Sequence, residues 1–341
     1  MNIFVVGGAG FIGSAFIRHI YSLDKYNILN YDLLTYAANP SALIQIQNGL
    51  NYSLVHGDII DFEKLSVNLC KFEPNVVINF AAETHVDRSI SNPLNFINTN
   101  VLGTTTLLRA CSKYLSENKK IIKNFKYIQV STDEVFGDLE MGQPAFTEKS
   151  VISPSSPYSA SKASADLIIK AWMRTYNFPA IITHCSNNFG PFQHSEKFIP
   201  TIIRSIVNNE PIPIYGDGKQ IRDWLYVEDH VKALTAIFEM ASVGSTYNIG
   251  GDNERTNLDL VNTLIKIVLD QSKEYSEFTE EKILRNNLIK HIADRPGHDI
   301  RYAVNSSKLQ NELGWKPSSD FEGNLAKTVE WFLQGTSELN S

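Results

Sequence analysis

The sequence predicts an α/β fold, a doubly wound parallel sheet with a smaller mixed α/β lobe, and three observations lead there. Short apolar runs alternate with longer amphipathic stretches through the first half of the chain, the pattern of parallel strands whose connecting helices cover both faces of a sheet. A glycine-rich turn separates the first run from an apolar, helix-like stretch. Beyond residue 185 the punctuation thickens, with Gly190-Pro191, Pro211 and Pro213, Gly216-Asp217-Gly218 and Gly250-Gly251, which marks a second unit of shorter elements. A chain of 341 residues has room for both.

Strands are expected at residues 3–6, 28–31, 53–56, 76–80, 127–130 and 180–184, each too short for a helix. Residues 227–241 read as a covering helix that returns to the first unit, so the boundary is interrupted: 1–185 with a return near 223–242, then mainly 186–341 for the lobe. Hydrophobic content of 43% with 20% charge is that of a soluble globular protein with a large core. The net charge of -6 argues against nucleic acid as a partner, because phosphate binding needs a basic face. No run approaches the roughly 18 apolar residues of a membrane span, and the first strand begins at once, so the expectation is a cytoplasmic protein with no membrane partner. Cys70, Cys111 and Cys185 lie far apart, in no metal or disulfide spacing, and are expected to be buried apolar residues; no metal site is expected.

The glycine turn is Gly7-Gly8-Ala9-Gly10-Phe11-Ile12-Gly13, which sets Gly7, Gly10 and Gly13 at the spacing that lets a pyrophosphate approach the backbone and the positive end of the following helix. Asp32 ends the next strand, 19 positions past Gly13, where an acid accepts the adenosine ribose hydroxyls and repels a 2′-phosphate. The first unit is therefore read as a Rossmann domain that takes NAD rather than NADP. Asp58-Ile59 and Ala81-Ala82 stand near later strand ends, where they are either cofactor contacts or ordinary loop residues.

Tyr158 and Lys162 stand at i and i+4, one face of a helix, where the cation favours a phenolate able to act as a base. The same spacing occurs at Tyr21/Lys25 and Tyr215/Lys219, so context must select. Tyr215/Lys219 encloses two glycines, Tyr21/Lys25 lies far from the phosphate turn, and Tyr158 follows Pro154-Ser155-Ser156-Pro157, a strong helix start. Just upstream, Asp133 and Glu134 follow an apolar run. In a regular strand they point to opposite faces, so they share a substrate only where the strand has ended and the chain turns; Gly137 supports such a turn. Alone, adjacent carboxylates there also suit a solvated turn or a helix cap. Beside a dinucleotide site and Tyr158 they suggest redox used to drive an elimination.

With these residues assembled, the chain resembles the extended short-chain dehydrogenase/reductase superfamily, and within it the dTDP-glucose 4,6-dehydratases of deoxysugar (rhamnose) synthesis. The resemblance rests on GGAGFIGS, AAETHVDRSI, NTNVLGT, STDEVFGD, SPYSASKASAD, CSNNFGP, EKFIP, PIYGDG, QIRDWLYVEDH, YNIGG and ADRPGHDIRYA, spread over nearly the whole length. It implies that Tyr158, with Thr132 and Lys162, deprotonates the sugar 4-hydroxyl during oxidation by NAD, that Glu134 removes the C5 proton, and that Asp133 protonates the departing C6 hydroxyl. Asp133 would then be protonated and Glu134 ionised, a division that adjacency promotes. It adds Phe11, Ile12, Leu33, Thr35, Thr99 and Asn188 on the cofactor side. For the sugar nucleotide it implies Thr84, Thr132, Asn187, Lys197 and Phe198, and from the lobe Tyr215, Arg222, Asn257, Arg295 and His298. Arg222 and Arg295 suit a pyrophosphate fork, since the lobe offers no other evident reason to bury them. His85 and His298 remain open to a structural reading, His85 the more so.

The chain departs from the family at Val6, Leu33, Phe136 and Phe189, and its segment between Gly137 and Pro154 is short. The resemblance also implies a homodimer through helices near residues 100–115 and 159–176. The residues themselves leave open the nucleotide (thymidine or uridine), a 4-epimerase or other NAD-dependent sugar-nucleotide enzyme, and a non-catalytic NAD-binding regulator.

Overall fold

The first fourteen residues already contain the core of the architecture. A computed structural model describes residues 1–118, 124–271 and 288–339, with side chains as far as 334. Strand β1 (Asn2–Val6) runs into α1 (Phe11–Ser22), and β2 (Asn27–Asp32), β3 (Tyr52–His56), α2 (Phe62–Phe72) and β4 (Val76–Asn79) follow. After α3 (Val86–Ser91) comes a long broken helix: α4 (Pro93–Phe96), a π-helical segment (Ile97–Gly103) and α5 (Thr104–Glu117). Then come β5 (Lys126–Thr132), α6 (Pro157–Tyr176) and β6 (Ala180–Cys185), and the six expected strands are all present.

These strands form one parallel sheet in the order β10-β6-β5-β4-β1-β2-β3, where β10 is Thr246–Ile249. Alternate residues of each strand feed opposite faces. Ile3, Val5, Ile28, Ile78 and Ile128 pack with α1 and with α8 (Val227–Met240). Phe4, Val6, Leu29, Val77 and Tyr127 pack on the other face with α2, α5 and α6. Beyond residue 185 the chain returns to the large sheet, through α8 beside α1 and through β10 beside β6.

The smaller lobe has its own core. It contains β7 (Asn187–Phe189), α7 (Phe198–Val207), β8 (Ile212–Tyr215), β9 (Ile221–Tyr226), β11 (Glu254–Thr256), α9 (Asn257–Gln271), β12 (Ile289–Ile292) and, after α10 (Ser307–Leu313), which packs back on β10 and α8 of the large sheet, α11 (Phe321–Leu339). A three-stranded sheet β11-β9-β7 and a parallel pair β12-β8 build it, with isoleucines of α7 packed on Leu260, Leu264, Leu325 and Val329 of α9 and α11. Residues 272–287 of the expected lobe lie outside the described ones.

Three sequence expectations gain a physical account. Val6, Phe136 and Phe189 are all buried among apolar or aromatic neighbours, where an apolar side chain needs no polar partner. The short segment after Gly137 is tied to the lobe: the Asp138 carboxylate accepts from the backbone N–H of Ile300 (2.6 Å) and Arg301 (3.0 Å). Cys111 and Cys185 are buried as expected, but Cys70 is not. It falls on the outer side of α2, whose apolar stripe is completed by Leu65 and Leu69.

Candidate active site

At the carboxyl end of β1 the backbone shapes a cradle. Gly7 has φ of +77°, and a Cβ there would overlap the Ala81 backbone, while a Cβ on Gly13 would overlap the Gly7 carbonyl. Gly10 differs, because a Cβ would meet only the Gly7 oxygen at 3.5 Å. The protein's own packing does not require glycine there; close approach of a ligand does. Gly10 caps α1 without a side-chain hydrogen bond, and no acidic side chain stands in the first turn, so the N–H groups of Phe11 and Ile12 are left for an anion.

Asp32 is buried at the end of β2, where its two oxygens accept from the N–H of Ala9 (2.8 Å) and Leu34 (2.7 Å). Each retains a lone pair for a ribose hydroxyl. Leu33 and Thr35 follow it as exposed residues, and Ala82 and Thr99 are half-buried. Asp58 accepts at Oδ1 from the Ile60 N–H, while Ile59 packs into the core beside Leu65 and Leu107. These groups fit NAD: a glycine cradle, an open helix N-terminus and a fixed acid at the end of the neighbouring strand.

On the other side of the crevice β5 ends at Thr132, and a 3-10 turn over Asp133–Phe136 breaks the strand alternation. The Thr132 hydroxyl donates to Asp133 Oδ1 (3.2 Å) and accepts from the Glu134 N–H (3.3 Å). The two carboxylates therefore diverge in environment: Glu134 lines an open cleft, whereas Asp133 is 2% exposed and its Oδ2 has no hydrogen-bond partner among the described residues. Burial and the adjacent Glu134 charge push the Asp133 carboxyl well above its ordinary value. Burial also raises Glu134, but Arg222, Arg295 and Lys197 oppose the shift. Of the two, Asp133 is therefore the one that holds its proton more strongly.

Helix α6 begins at Pro157 under a reciprocal capping box between Ser156 and Ser159, which sets Tyr158 in the first turn and Lys162 one turn later. One expectation changes here. The Lys162 ammonium donates to the Val130 carbonyl (2.8 Å), and the Tyr158 phenol is pushed well up by burial and the Glu134 charge, against a hydrogen bond from Thr132. In the ligand-free protein Tyr158 is a phenol, because desolvation of an anion outweighs a cation aimed elsewhere. Burial also lowers Lys162, and the charge of Asp166 opposes that shift. Asp166, missed in the sequence, accepts from the Ser131 hydroxyl (2.7 Å) and contacts His184 Nε2 (3.1 Å).

The cleft, about 370 Å³, brings Glu134 together with Thr84, Asn187, Lys197 and Phe198, and with Tyr215, Arg222, Asn257, Arg295 and His298 of the lobe. Lys197 donates to Thr84 Oγ1 at 3.2 Å and Arg295 pairs with Asp87 at 2.8 Å. Asn188, expected on the cofactor side, lines the same cleft, with its amide held by Ser186 and His230. Arg222 is not a free fork: its Nη1 and Nη2 donate to the carbonyls of Ile221 (2.7 Å) and Asp299 (3.0 Å), and it stacks 4.3 Å over Tyr302. Burying it therefore has a structural reason too. His85 is not a satisfied core histidine, since it lines the cleft and its Nδ1 has no hydrogen-bond partner among the described residues. Asp87 and Tyr302 also line the cleft and were not singled out, although both fall inside motifs that carry the resemblance.

Known proteins resemble this chain along its whole length. The family model for GDP-mannose 4,6 dehydratase matches residues 4–328. A dTDP-glucose 4,6-dehydratase of Haemophilus influenzae is 47% identical, with 99% of each chain covered, and one of Salmonella typhimurium is 46% identical over 100% of this chain and 95% of its own. The crystal structure of the dTDP-glucose 4,6-dehydratase of Bacillus anthracis in complex with NAD superposes with a TM-score of 0.85 at 40% identity, covering 99% of this chain and 98% of the other. Two carboxylates of unequal environment beside a dinucleotide cradle, with this likeness along the whole length, place the chain in the dTDP-glucose 4,6-dehydratase family.

Proposed function

We propose that the chain dehydrates dTDP-glucose to dTDP-4-keto-6-deoxyglucose, with NAD in the same oxidation state at the start and end of each turnover. The observation that carries this is the pair at the end of β5, one carboxyl buried and raised well above its ordinary value and the next lining the cleft among Arg222, Arg295 and Lys197, which oppose its rise. An enzyme that only oxidised and reduced C4 would have no use for both.

In this reading Tyr158, a phenol at rest, first gives its own proton to solvent when Lys162 and the positive charge that NAD would bring favour the phenolate, and then, with Thr132 beside it, takes the proton of the 4-hydroxyl. Bound NAD supplies the redox chemistry, accepting hydride from C4 and returning it to C6. The 4-ketone acidifies C5, whose proton passes to Glu134 while Asp133 gives its proton to the C6 hydroxyl, which leaves as water. Glu134 then returns a proton to C5, and the proton held by Tyr158 balances the one Asp133 has lost. Lys197, Arg222 and Arg295 offer positive charge to the pyrophosphate, with Asp87 yielding or sharing Arg295. Thr84, Asn187, Phe198, Tyr215, Asn257 and His298 line the remainder of the substrate site.

Incubation with dTDP-glucose tests the proposal: the nucleotide should lose the mass of one water and yield a base-developed 4-ketone absorbance. Formation of dTDP-galactose instead would make the chain an epimerase. UDP-, GDP- and CDP-hexoses in parallel report the base preference. No described helix is long and apolar enough to cross a membrane, and we place the activity in the cytoplasm, with the homodimer as the working assembly.

A further inference from the structure

Tyr36 lies on the segment that leaves β2 just after Asp32, and its contacts run away from its own strand. Its hydroxyl donates to Glu83 Oε2 at 3.1 Å, on the segment that leaves β4. In the sheet β2 and β4 are the two neighbours of β1, so a bond joining the segments beyond them passes over the carboxyl end of β1, where the glycine cradle begins. Both posts of this bridge are anchored. The Asn39 N–H donates to the Ala9 carbonyl (2.8 Å), and the Glu83 backbone is held at N–H and carbonyl by buried Asn100 (2.9 and 3.0 Å).

A third post comes from the substrate side. The Arg88 guanidinium sits 4.1 Å over the Tyr36 ring and pairs with Glu196 at 2.6 Å, while the His194 ring meets Tyr36 edge-on at 6.0 Å. The contact set is two-sided: a cation over the ring face and a hydrogen bond at the ring's polar tip. Burial and Glu83 push the phenol up to about 12, so it remains a donor through the neutral range.

We propose that Tyr36, held by Glu83 and Arg88, is a cofactor-retaining residue that closes over the pyrophosphate cradle and slows the departure of NAD. This rests on the dehydratase reading, and it suits a reaction that ends with the cofactor in its starting oxidation state: exchange is unnecessary, and loss during the cycle would strand an oxidised sugar.

The test compares the full-length protein with Tyr36→Ala, Tyr36→Phe and Arg88→Gln, each loaded with NAD and passed through a desalting column. Retained NAD is quantified by chromatography, and the dissociation rate is followed after dilution into a trap. Tyr36→Ala should release NAD roughly tenfold faster, and Tyr36→Phe, which keeps the ring under Arg88 but loses the hydroxyl, about threefold faster. Arg88→Gln should fall between them. Thermal midpoints without NAD identify any variant that is merely destabilised, in which case Tyr36→Phe decides alone. Release rates equal to wild type in Tyr36→Ala and Tyr36→Phe overturn the proposal. A wild-type protein that retains NAD and dehydrates dTDP-glucose alongside such unchanged rates would sink this inference and leave the function standing. Failure of the wild type to bind NAD would sink both.

Discussion

At Asp133 stability and function pull in opposite directions. Its folded carboxyl is raised well above the ordinary 3.8, by burial first and by Glu134 second. Between the unfolded value and the raised one the native state binds more protons than the unfolded state, so stability is full below about pH 4 and falls as pH rises toward the folded value. Asp133→Asn removes that proton and should therefore raise the thermal midpoint at pH 8 more than at pH 5, while slowing elimination more than the first oxidation of the sugar. A midpoint that drops at both pH values would contradict the unpaired burial of this carboxyl. Glu134→Gln keeps the size and the cleft but cannot accept a proton, so solvent deuterium should no longer enter C5; mass spectrometry of product formed in deuterated water reads this directly. At this scale much was readable in the chain. Asp32, Tyr158, Lys162 and the carboxylate pair each stand next to a local signal, a strand end, a helix start or a turn glycine, and such signals depend on only a few neighbouring residues. Asp166 and Asp87 had none, because their partners lie 18 or more positions away in the chain.

Elements decide whether those residues meet. Helix α6 carries Tyr158 and Lys162, and its first turn is set by Ser156 and Pro157. Ser156→Ala should lower stability by about 1 kcal/mol, the usual consequence of losing an N-cap, and should fray the turn that holds Tyr158. Calorimetry measures the first effect, and a fall in kcat larger than the change in KM for dTDP-glucose reports the second. The break from β5 into a 3-10 turn was foreseen from the need of two adjacent acids to face one substrate, with Gly137 as its sign. The consequence of the turn was not foreseen: it sends Glu134 into the cleft and Asp133 into the interior, because only the packing of α6 against the turn defines which direction is inside.

Across the molecule the active site lies where two hydrophobic cores meet. The large sheet supplies the cradle and the carboxylates, the lobe supplies Tyr215, Arg222, Asn257, Arg295 and His298, and the Asp87–Arg295 pair ties them across the cleft. Along α4, the π-helical segment and α6, which pack side by side, apolar side chains stand in solvent: Leu94 is 70%, Leu102 50% and Leu167 53% exposed. The proposed homodimer would cover this face with a second copy. Light scattering should give twice the chain mass, and Leu94→Glu with Leu167→Glu should give a monomer; a wild-type monomer at micromolar concentration would refute the dimer.

By itself the sequence determined the strand positions, the glycine cradle with its ribose acid, the helix start before Tyr158 and the identity of the charged groups, because each follows from backbone propensity, periodicity or a short motif acting over a few residues. Only the tertiary structure decided which carboxyl is buried, that Lys162 turns to Val130 and Arg222 to backbone carbonyls, that Cys70 faces outward, and that Tyr36 reaches from one strand's end to another's. Those outcomes depend on desolvation and on contacts between segments far apart in the chain, and both come into being only when the two cores close.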